Sequence, residues 1–238
     1  MCVPDVVSTI VTYFWVKPVI LCAHSADGPI LGRVNTAVNF PPDTEEQPWY
    51  ASSFGSAMVL LVSGIIGLIA TLVLTYERVQ LWMDPDYVTS CDVNVWVSCG
   101  TVMQSWQASL FGFSNQFIGI VGFSIVITIA MAIFGGARFV NWWWHAISIG
   151  LGLAMIFCLW LWTQAVYVIN TLCIYCMIVW AVTIPAAVLI FARNVSQDLI
   201  KVTPRTKMII TTAAWPTIIV LYVVIGGSIL LRFGEAMF

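Results

Sequence analysis

Four of the seven cysteines in this chain stand in two close pairs. Cys173 and Cys176 form a CxxC motif at the start of a strongly apolar segment, and Cys91 and Cys99 lie upstream in a more polar one. Paired thiols beside a membrane segment indicate thiol–disulfide exchange, because membrane spans rarely need paired cysteines for packing. Two pairs at different depths predict a relay, in which electrons pass through a mixed disulfide from the upstream pair to the inner pair. This prediction requires both pairs to reach the same side of the membrane.

The same four cysteines also fit two other interpretations. Zinc binding needs a preformed tetrahedral cluster, whereas here one pair enters a membrane helix and no histidine lies near either pair, so we predict no metal site. The other interpretation is a non-enzymatic membrane scaffold with structural disulfides. The remaining cysteines, Cys2, Cys22 and Cys158, are predicted to have packing roles or none.

The composition is that of an integral membrane protein. The chain is 61% hydrophobic and 8% charged, and its mean hydropathy is +0.96. Its apolar runs exceed about ten residues and lack the alternation of strands, which favours helices over a barrel. The formal net charge is -2 and there is no basic run, so nucleic acid is not an expected partner.

Five apolar segments are long enough to cross a hydrocarbon core of about 30 Å at 1.5 Å per residue. The predicted fold is therefore all-α: a polytopic integral membrane protein with a four-helix bundle core and a fifth transmembrane helix. A short interfacial helix is predicted over residues 102–113. The five predicted spans are residues 54–76, 115–134, 142–166, 171–191 and 208–231.

The chain is predicted to divide into three regions. Residues 1–50 form an N-terminal tail that is disordered or weakly structured, because it carries Lys17-Pro18 inside an apolar run and a polar stretch after it. Residues 51–192 form the catalytic bundle, with an extracytoplasmic loop at 77–114 that begins at the charged pair Glu77 and Arg78. Residues 193–238 hold a cytoplasmic basic loop and the fifth helix.

The distribution of basic residues predicts the orientation in the membrane. The loop between the fourth and fifth spans contains Arg193, Lys201, Arg205 and Lys207, whereas the loop with Cys91 and Cys99 has only Arg78 at its edge. Basic loops stay in the cytoplasm, so both cysteine pairs fall on the opposite, oxidising side. We therefore expect a multi-pass protein of the cytoplasmic membrane with its active site on the extracytoplasmic side.

Several motifs together resemble the vitamin K epoxide reductase family. They are the run from Ser90 to Cys99, the residues Leu110-Phe111-Gly112 and Ser114-Asn115, and the CxxC motif Cys173-Ile174-Tyr175-Cys176. The resemblance covers about residues 49–193 and is greatest to the bacterial branch. Members of that branch reoxidise a secreted thioredoxin-like disulfide-forming enzyme and pass the electrons to a membrane quinone, here menaquinone or ubiquinone.

The resemblance implies a role for each cysteine. Cys91 exchanges first with the thioredoxin-like partner, and Cys99 then attacks the inner disulfide at Cys173. Cys176 is the thiol that faces the quinone. Asn115 matches a polar residue that hydrogen-bonds a quinone carbonyl in the family.

Trp180 is a departure from the vertebrate members, which have a tyrosine four residues after the second cysteine of the motif. The missing hydroxyl disfavours the alternative function, reduction of vitamin K epoxide itself, but does not argue against quinone reduction. Trp180 itself is a predicted quinone contact. Asp92 matches an acidic residue beside the first loop cysteine whose role stays open. No thioredoxin-like domain follows the fifth helix before Phe238, so the expected partner is a separate polypeptide.

Overall fold

Helices make up nearly all regular structure in residues 47–84 and 86–237, which are the residues that this computed structural model describes. Single turns of 3-10 helix cover Trp49–Ala51 and Trp106–Ser109, and a π-helical segment covers Gln164–Ile169. Of the tail predicted over residues 1–50, residues 1–46 lie outside the described residues. The α-helices are α1 (Ser53–Met83), α2 (Cys99–Gln104), α3 (Gln116–Phe134), α4 (Asn141–Thr163), α5 (Ile174–Ser196) and α6 (Pro204–Met237).

Five helices are long and apolar enough to cross a membrane, at the positions that the hydropathy pattern predicts. Within the described ranges there is no strand, and only two isolated β-bridges occur. The prediction of an all-α, polytopic membrane protein is therefore confirmed. The five spans are Ser53–Met83, Gln116–Phe134, Asn141–Ile169, Ile174–Ser196 and Pro204–Gly234.

Helices α1 and α5 form the centre of the bundle. Helix α1 packs most closely against α3 and also against α5, while α5 packs in addition against α4 and α6. The α1–α3 interface depends on small residues: a Cβ at Gly64 would lie 2.7 Å from Ile127, and one at Gly67 would overlap the ring of Phe123. Small residues let membrane helices approach closely and gain van der Waals contact.

The predicted end of the first helix was wrong. Glu77 and Arg78 were expected to begin the loop, but α1 continues for two more turns to Met83. Glu77 is buried there, and Leu74 and Leu81 on the same helix face pack against the cysteines. Because this face is covered by protein, a charged residue on it does not mark the end of the helix.

The predicted start of the basic loop was also wrong. Arg193 lies inside α5 and is buried, and its guanidinium carbon is 3.4 Å from the centroid of the Trp144 ring. Its Nη1 donates to Asn194 Oδ1, and Asn194 Nδ2 donates to the Trp144 carbonyl at 2.8 Å. The aromatic face accommodates the cation, so α5 extends to Ser196.

The predicted interfacial helix is replaced by two shorter elements. Helix α2 begins at Cys99, where the Ser98 hydroxyl accepts the Thr101 N–H at 3.1 Å as an N-cap. The chain turns at Ser105 before the 3-10 turn Trp106–Ser109. As a result, the second cysteine of the upstream pair stands at the first position of a helix.

Candidate redox site

Backbone pairing brings the upstream cysteine loop against the CxxC motif. The Ser98 N–H donates to the Leu172 carbonyl at 3.0 Å, and the Leu172 N–H donates to the Trp96 carbonyl at 2.8 Å. These hydrogen bonds immediately precede Cys99 on one segment and Cys173 on the other. The Cys99 and Cys173 sulfur atoms consequently lie 3.3 Å apart, although 74 residues separate them in the sequence.

The turn that presents Leu172 is fixed by the end of the third span and by α6. After the π-helical segment, Asn170 adopts a left-handed backbone conformation with a φ of 57°, and the Thr171 N–H returns to the Ala165 carbonyl at 3.1 Å. Arg232 of α6 donates to Asn170 Oδ1 at 2.7 and 3.1 Å. π-Helical turns often occur at functional sites, and this one shapes the entry to the CxxC motif.

The four predicted cysteines come together at one end of the bundle. Cys91 and Cys99 are joined by a disulfide, while Cys173 and Cys176 are free thiols. The side chains of Cys91, Cys99 and Cys173 are 3%, 0% and 1% exposed, and Cys176 is half-buried beside them. A thiol so close to a buried disulfide can exchange with it without a large movement of the backbone.

Cys173 was predicted to lie in the first turn of the fourth span. In the structure it is instead the N-cap residue of α5. Its sulfur accepts the Cys176 N–H at 3.3 Å. Unpaired N–H groups and the helix dipole stabilise a thiolate at this position. The Cys176 N–H therefore points at the Cys173 sulfur, where it can assist this atom as a nucleophile or as a leaving group.

The sulfur atoms of Cys91, Cys99 and Cys173 lie within 4.8 Å of one another, which is a spacing that a soft metal ion can use. Two of the three are joined in a disulfide, however, and metal ligation requires thiolates. In this redox form the cluster does not offer a tetrahedral ligand set, and the absence of a metal site stays a prediction.

The Asp92 carboxylate accepts hydrogen bonds from both ends of the cysteine loop. One carboxylate oxygen accepts the Thr89 N–H and the other accepts the Gly100 N–H, both at 3.1 Å. Burial raises the pKa of Asp92, but hydrogen bonds from Ser98, Gly100 and Thr89 outweigh it and bring the pKa below the ordinary value. The carboxylate form thus holds the segments before Cys91 and after Cys99 in place.

The Asp92 hydrogen bonds are expected to be lost in acid. Because the pKa is lower in the folded loop than in an unfolded chain, the stabilisation is fully present above the unfolded value of about 3.9 and disappears as the pH falls through the folded value. Hydrogen-exchange protection of the Gly100 amide, corrected for the intrinsic rate, is expected to fall over this range. In Asp92→Asn, protection of the Gly100 amide should already be low at neutral pH, whereas the control Asp86→Asn, at an exposed carboxylate, should behave as wild type. Unchanged protection in Asp92→Asn contradicts the role assigned to the Asp92 carboxylate.

Glu77 is a site residue that sequence reasoning missed, because it was assigned to a loop. Both of its carboxylate oxygens accept the Ser90 N–H at 3.3 Å, and Ser90 Oγ lies 3.2 Å from the Tyr175 hydroxyl. The spacing of Leu74, Glu77 and Leu81 on one helix face was the signal that could have identified it.

Asn115 precedes α3 and is held by the loop before it. Its Nδ2 donates to the backbone carbonyl of Gln107 at 2.7 Å, and this acceptor fixes the orientation of the carboxamide. Asn115 Oδ1 is buried and has no hydrogen-bond partner among the described residues. Gln107, which sequence reasoning missed, also donates from its side chain to Gln164 Oε1 at 3.3 Å.

Trp180 is buried one turn below Cys176. It belongs to an apolar cluster with Cys158 and Ile184, against which Cys176 also packs. Asn115, in contrast, contacts the loop at Gln107. The two predicted quinone contacts, Asn115 and Trp180, therefore have different neighbours.

A multi-span helical bundle that holds two cysteine pairs in contact defines a class of protein, the membrane thiol–disulfide oxidoreductases. The family model described as "Vitamin K epoxide reductase family" matches residues 58–191, more than half of the chain, and the chain belongs to this family. The matched residues run from α1 to α5 and contain all four paired cysteines. The resemblance inferred from the motifs is thus confirmed. No curated protein matches the chain.

Proposed function

We propose that this protein is a thiol:quinone oxidoreductase that reoxidises a thioredoxin-like thiol oxidase outside the cytoplasm and passes the electrons to a membrane quinone. The observation that carries the proposal is the 3.3 Å contact between Cys173 and the Cys91–Cys99 disulfide. This contact links an outer pair on a polar loop to an inner pair at the end of a membrane helix.

The proposed relay has four exchanges. A partner thiolate attacks Cys91, and Cys99 leaves as a thiolate; the second partner thiolate then attacks the partner sulfur in this mixed disulfide and frees Cys91. Cys99 next attacks Cys173, the Cys173–Cys176 disulfide breaks, and Cys176 receives the electron pair. Finally Cys91 attacks Cys99, which re-forms the outer disulfide and leaves the inner pair reduced.

The proposed electron acceptor is a quinone bound near Cys176, which takes up two electrons and two protons to become the hydroquinone. Half-buried Cys176 beside the apolar Trp180 cluster is compatible with an apolar acceptor arriving from the bilayer. The unpartnered, buried Oδ1 of Asn115 is compatible with a polar contact to such a ring. Trp180 offers no hydroxyl there, which disfavours epoxide reduction.

Thiol trapping in membranes tests the relay directly. Membranes are reduced with a dithiol, exposed to a water-soluble quinone or to buffer, quenched in acid and alkylated, and the alkylated cysteines are identified by mass spectrometry. With quinone, Cys91 and Cys99 are expected to become protected together with Cys173 and Cys176, while Cys158 stays reactive. If protection does not depend on quinone, the disulfides are structural and the proposal fails.

A further inference from the structure

Glu77 is the one buried carboxylate that the described residues contain, and it lies beside the outer cysteine pair. We propose that Glu77 accepts the proton that Cys91 loses when the outer disulfide re-forms. This inference rests on the proposed relay and adds a proton-transfer step to it.

Three observations place the Glu77 side chain beside the segment that holds Cys91. Both oxygens accept the N–H of Ser90, the residue directly before Cys91. Leu74 and Leu81, on the same face of α1, belong to the apolar cluster that encloses Cys91, Cys99 and Cys173. Glu77 is 3% exposed, so its carboxylate is covered by protein instead of facing solvent.

The groups around Glu77 leave its charge without a cationic partner. Arg78, next to it on α1, points elsewhere, toward Ser109 Oγ and the ring of Trp82. From the loop, the Tyr87 hydroxyl donates to Glu77, and burial together with this neighbouring carboxylate raises the pKa of Tyr87. From α5, the Tyr175 hydroxyl reaches Ser90 Oγ and not a charged group. The described ion pair, Lys207–Asp198, is elsewhere.

Asp92 is the other carboxylate facing the cysteines, and it is less suited to take up a proton. Its two oxygens are each engaged by an N–H group, from Thr89 and Gly100, and these bonds favour the charged form. Glu77 instead shares one backbone N–H between both oxygens at 3.3 Å, which is a long and weak arrangement, and its other donor is the Tyr87 hydroxyl, which can also accept a hydrogen bond.

The relay needs a proton acceptor because the sulfur atoms are shielded from water. In the last exchange, the Cys91 thiol gives its proton to the Glu77 carboxylate as its sulfur attacks Cys99. The Cys99–Cys173 bond breaks, the Cys91–Cys99 bond forms, and Cys173 leaves as a thiolate capped by the Cys176 N–H. One S–S bond replaces another, and the proton moves from sulfur to the carboxylate. Glu77 releases this proton before the next cycle.

The test is a rapid-quench measurement on the full-length protein. Fully reduced protein is mixed with a water-soluble quinone, quenched in acid and alkylated, and the Cys91–Cys99 and Cys99–Cys173 linkages are counted against time. In E77Q, which keeps an oxygen acceptor for Ser90 but cannot take a proton there, outer-disulfide formation is expected to slow about 100-fold at pH 7. The Cys99–Cys173 linkage should accumulate in its place.

The conservative variant separates proton transfer from a structural role. E77D keeps a carboxylate and should form the outer disulfide within tenfold of the wild-type rate, whereas E77Q, which keeps an oxygen acceptor for Ser90 but has no carboxylate, should not. D86N, at an exposed carboxylate, is the matched control and should behave as wild type. If E77Q does not fold, E77A replaces it, and the same contrast with E77D is expected.

Two results overturn the proposal. They are an E77Q rate equal to wild type and an E77D rate as low as that of E77Q. If the wild-type outer disulfide does not re-form with quinone at all, the relay itself is wrong. If the relay works but its rate is the same with and without the Glu77 carboxylate, only the role of Glu77 is wrong.

Discussion

Replacing Cys173 with serine is expected to stop electron transfer between the two cysteine pairs and to lower quinone-dependent turnover at least about 10³-fold. The reason is geometric, since the Cys173 sulfur is the atom of the inner pair that contacts the outer disulfide, at 3.3 Å from Cys99. A serine hydroxyl cannot form the mixed disulfide through which the electrons pass. Steady-state reduction of a quinone by a dithiol measures the effect.

Cys158→Ser is the matched control for this variant. Cys158 is also a free, buried cysteine, but it lies in the middle of α4 and makes no contact of the kind seen between Cys99 and Cys173. Its replacement should leave turnover within about threefold of the wild-type value. Turnover of Cys173→Ser within tenfold of wild type is incompatible with the proposed route.

Replacing Cys176 with serine is expected to change which sulfur atoms are bonded. In the wild-type protein, Cys176 can release Cys99 by attacking Cys173, but the variant lacks this resolving thiol. Attack of Cys173 on the outer disulfide then yields a Cys99–Cys173 linkage and a free Cys91 thiol, with no net oxidation. Alkylation of Cys91 makes the exchange irreversible, so this linkage should become the main species.

Peptide mass spectrometry without reduction identifies the linkage and the alkylated Cys91. The double variant Cys173→Ser, Cys176→Ser cannot form it and provides the blank. A Cys176→Ser protein that keeps Cys91 and Cys99 bonded throughout prolonged alkylation indicates that Cys173 does not exchange with the outer pair. The contact between them is then only one of packing.

The helical fold was predictable because long apolar runs have few alternatives in a membrane. The sequence could not reveal where charged residues stay inside helices, since that depends on which neighbours cover them. Glu77 is covered by the cysteine loop and Arg193 by the ring of Trp144, and both were assigned to loops for lack of that information.

The types and spacing of the cysteines predicted which four belong together, but not what brings them into contact. The pairing of Leu172 with Trp96 and Ser98 is too short to produce a strand pattern. It also joins segments that are distant along the chain. The segment with Leu172 follows a π-helical turn, which has no recognisable pattern of hydrophobic residues in the sequence. The hydrogen bonds that Asp92 accepts from Thr89 and Gly100 likewise depend on the folded loop.

The near-complete burial of Cys91, Cys99 and Cys173 has a consequence for selectivity. Small thiols in the surrounding medium, whatever their reduction potential, react slowly with a sulfur atom that is almost fully covered, so a dithiol reduces these cysteines only when it is present in large excess. In the proposed relay, a protein able to displace the loop around Val93 and Val95, whose side chains are exposed, gains rapid entry to Cys91. The redox state of the four cysteines then depends on recognition of the partner protein and not on equilibrium with small thiols. Electrons therefore do not pass between the quinone and unrelated thiols.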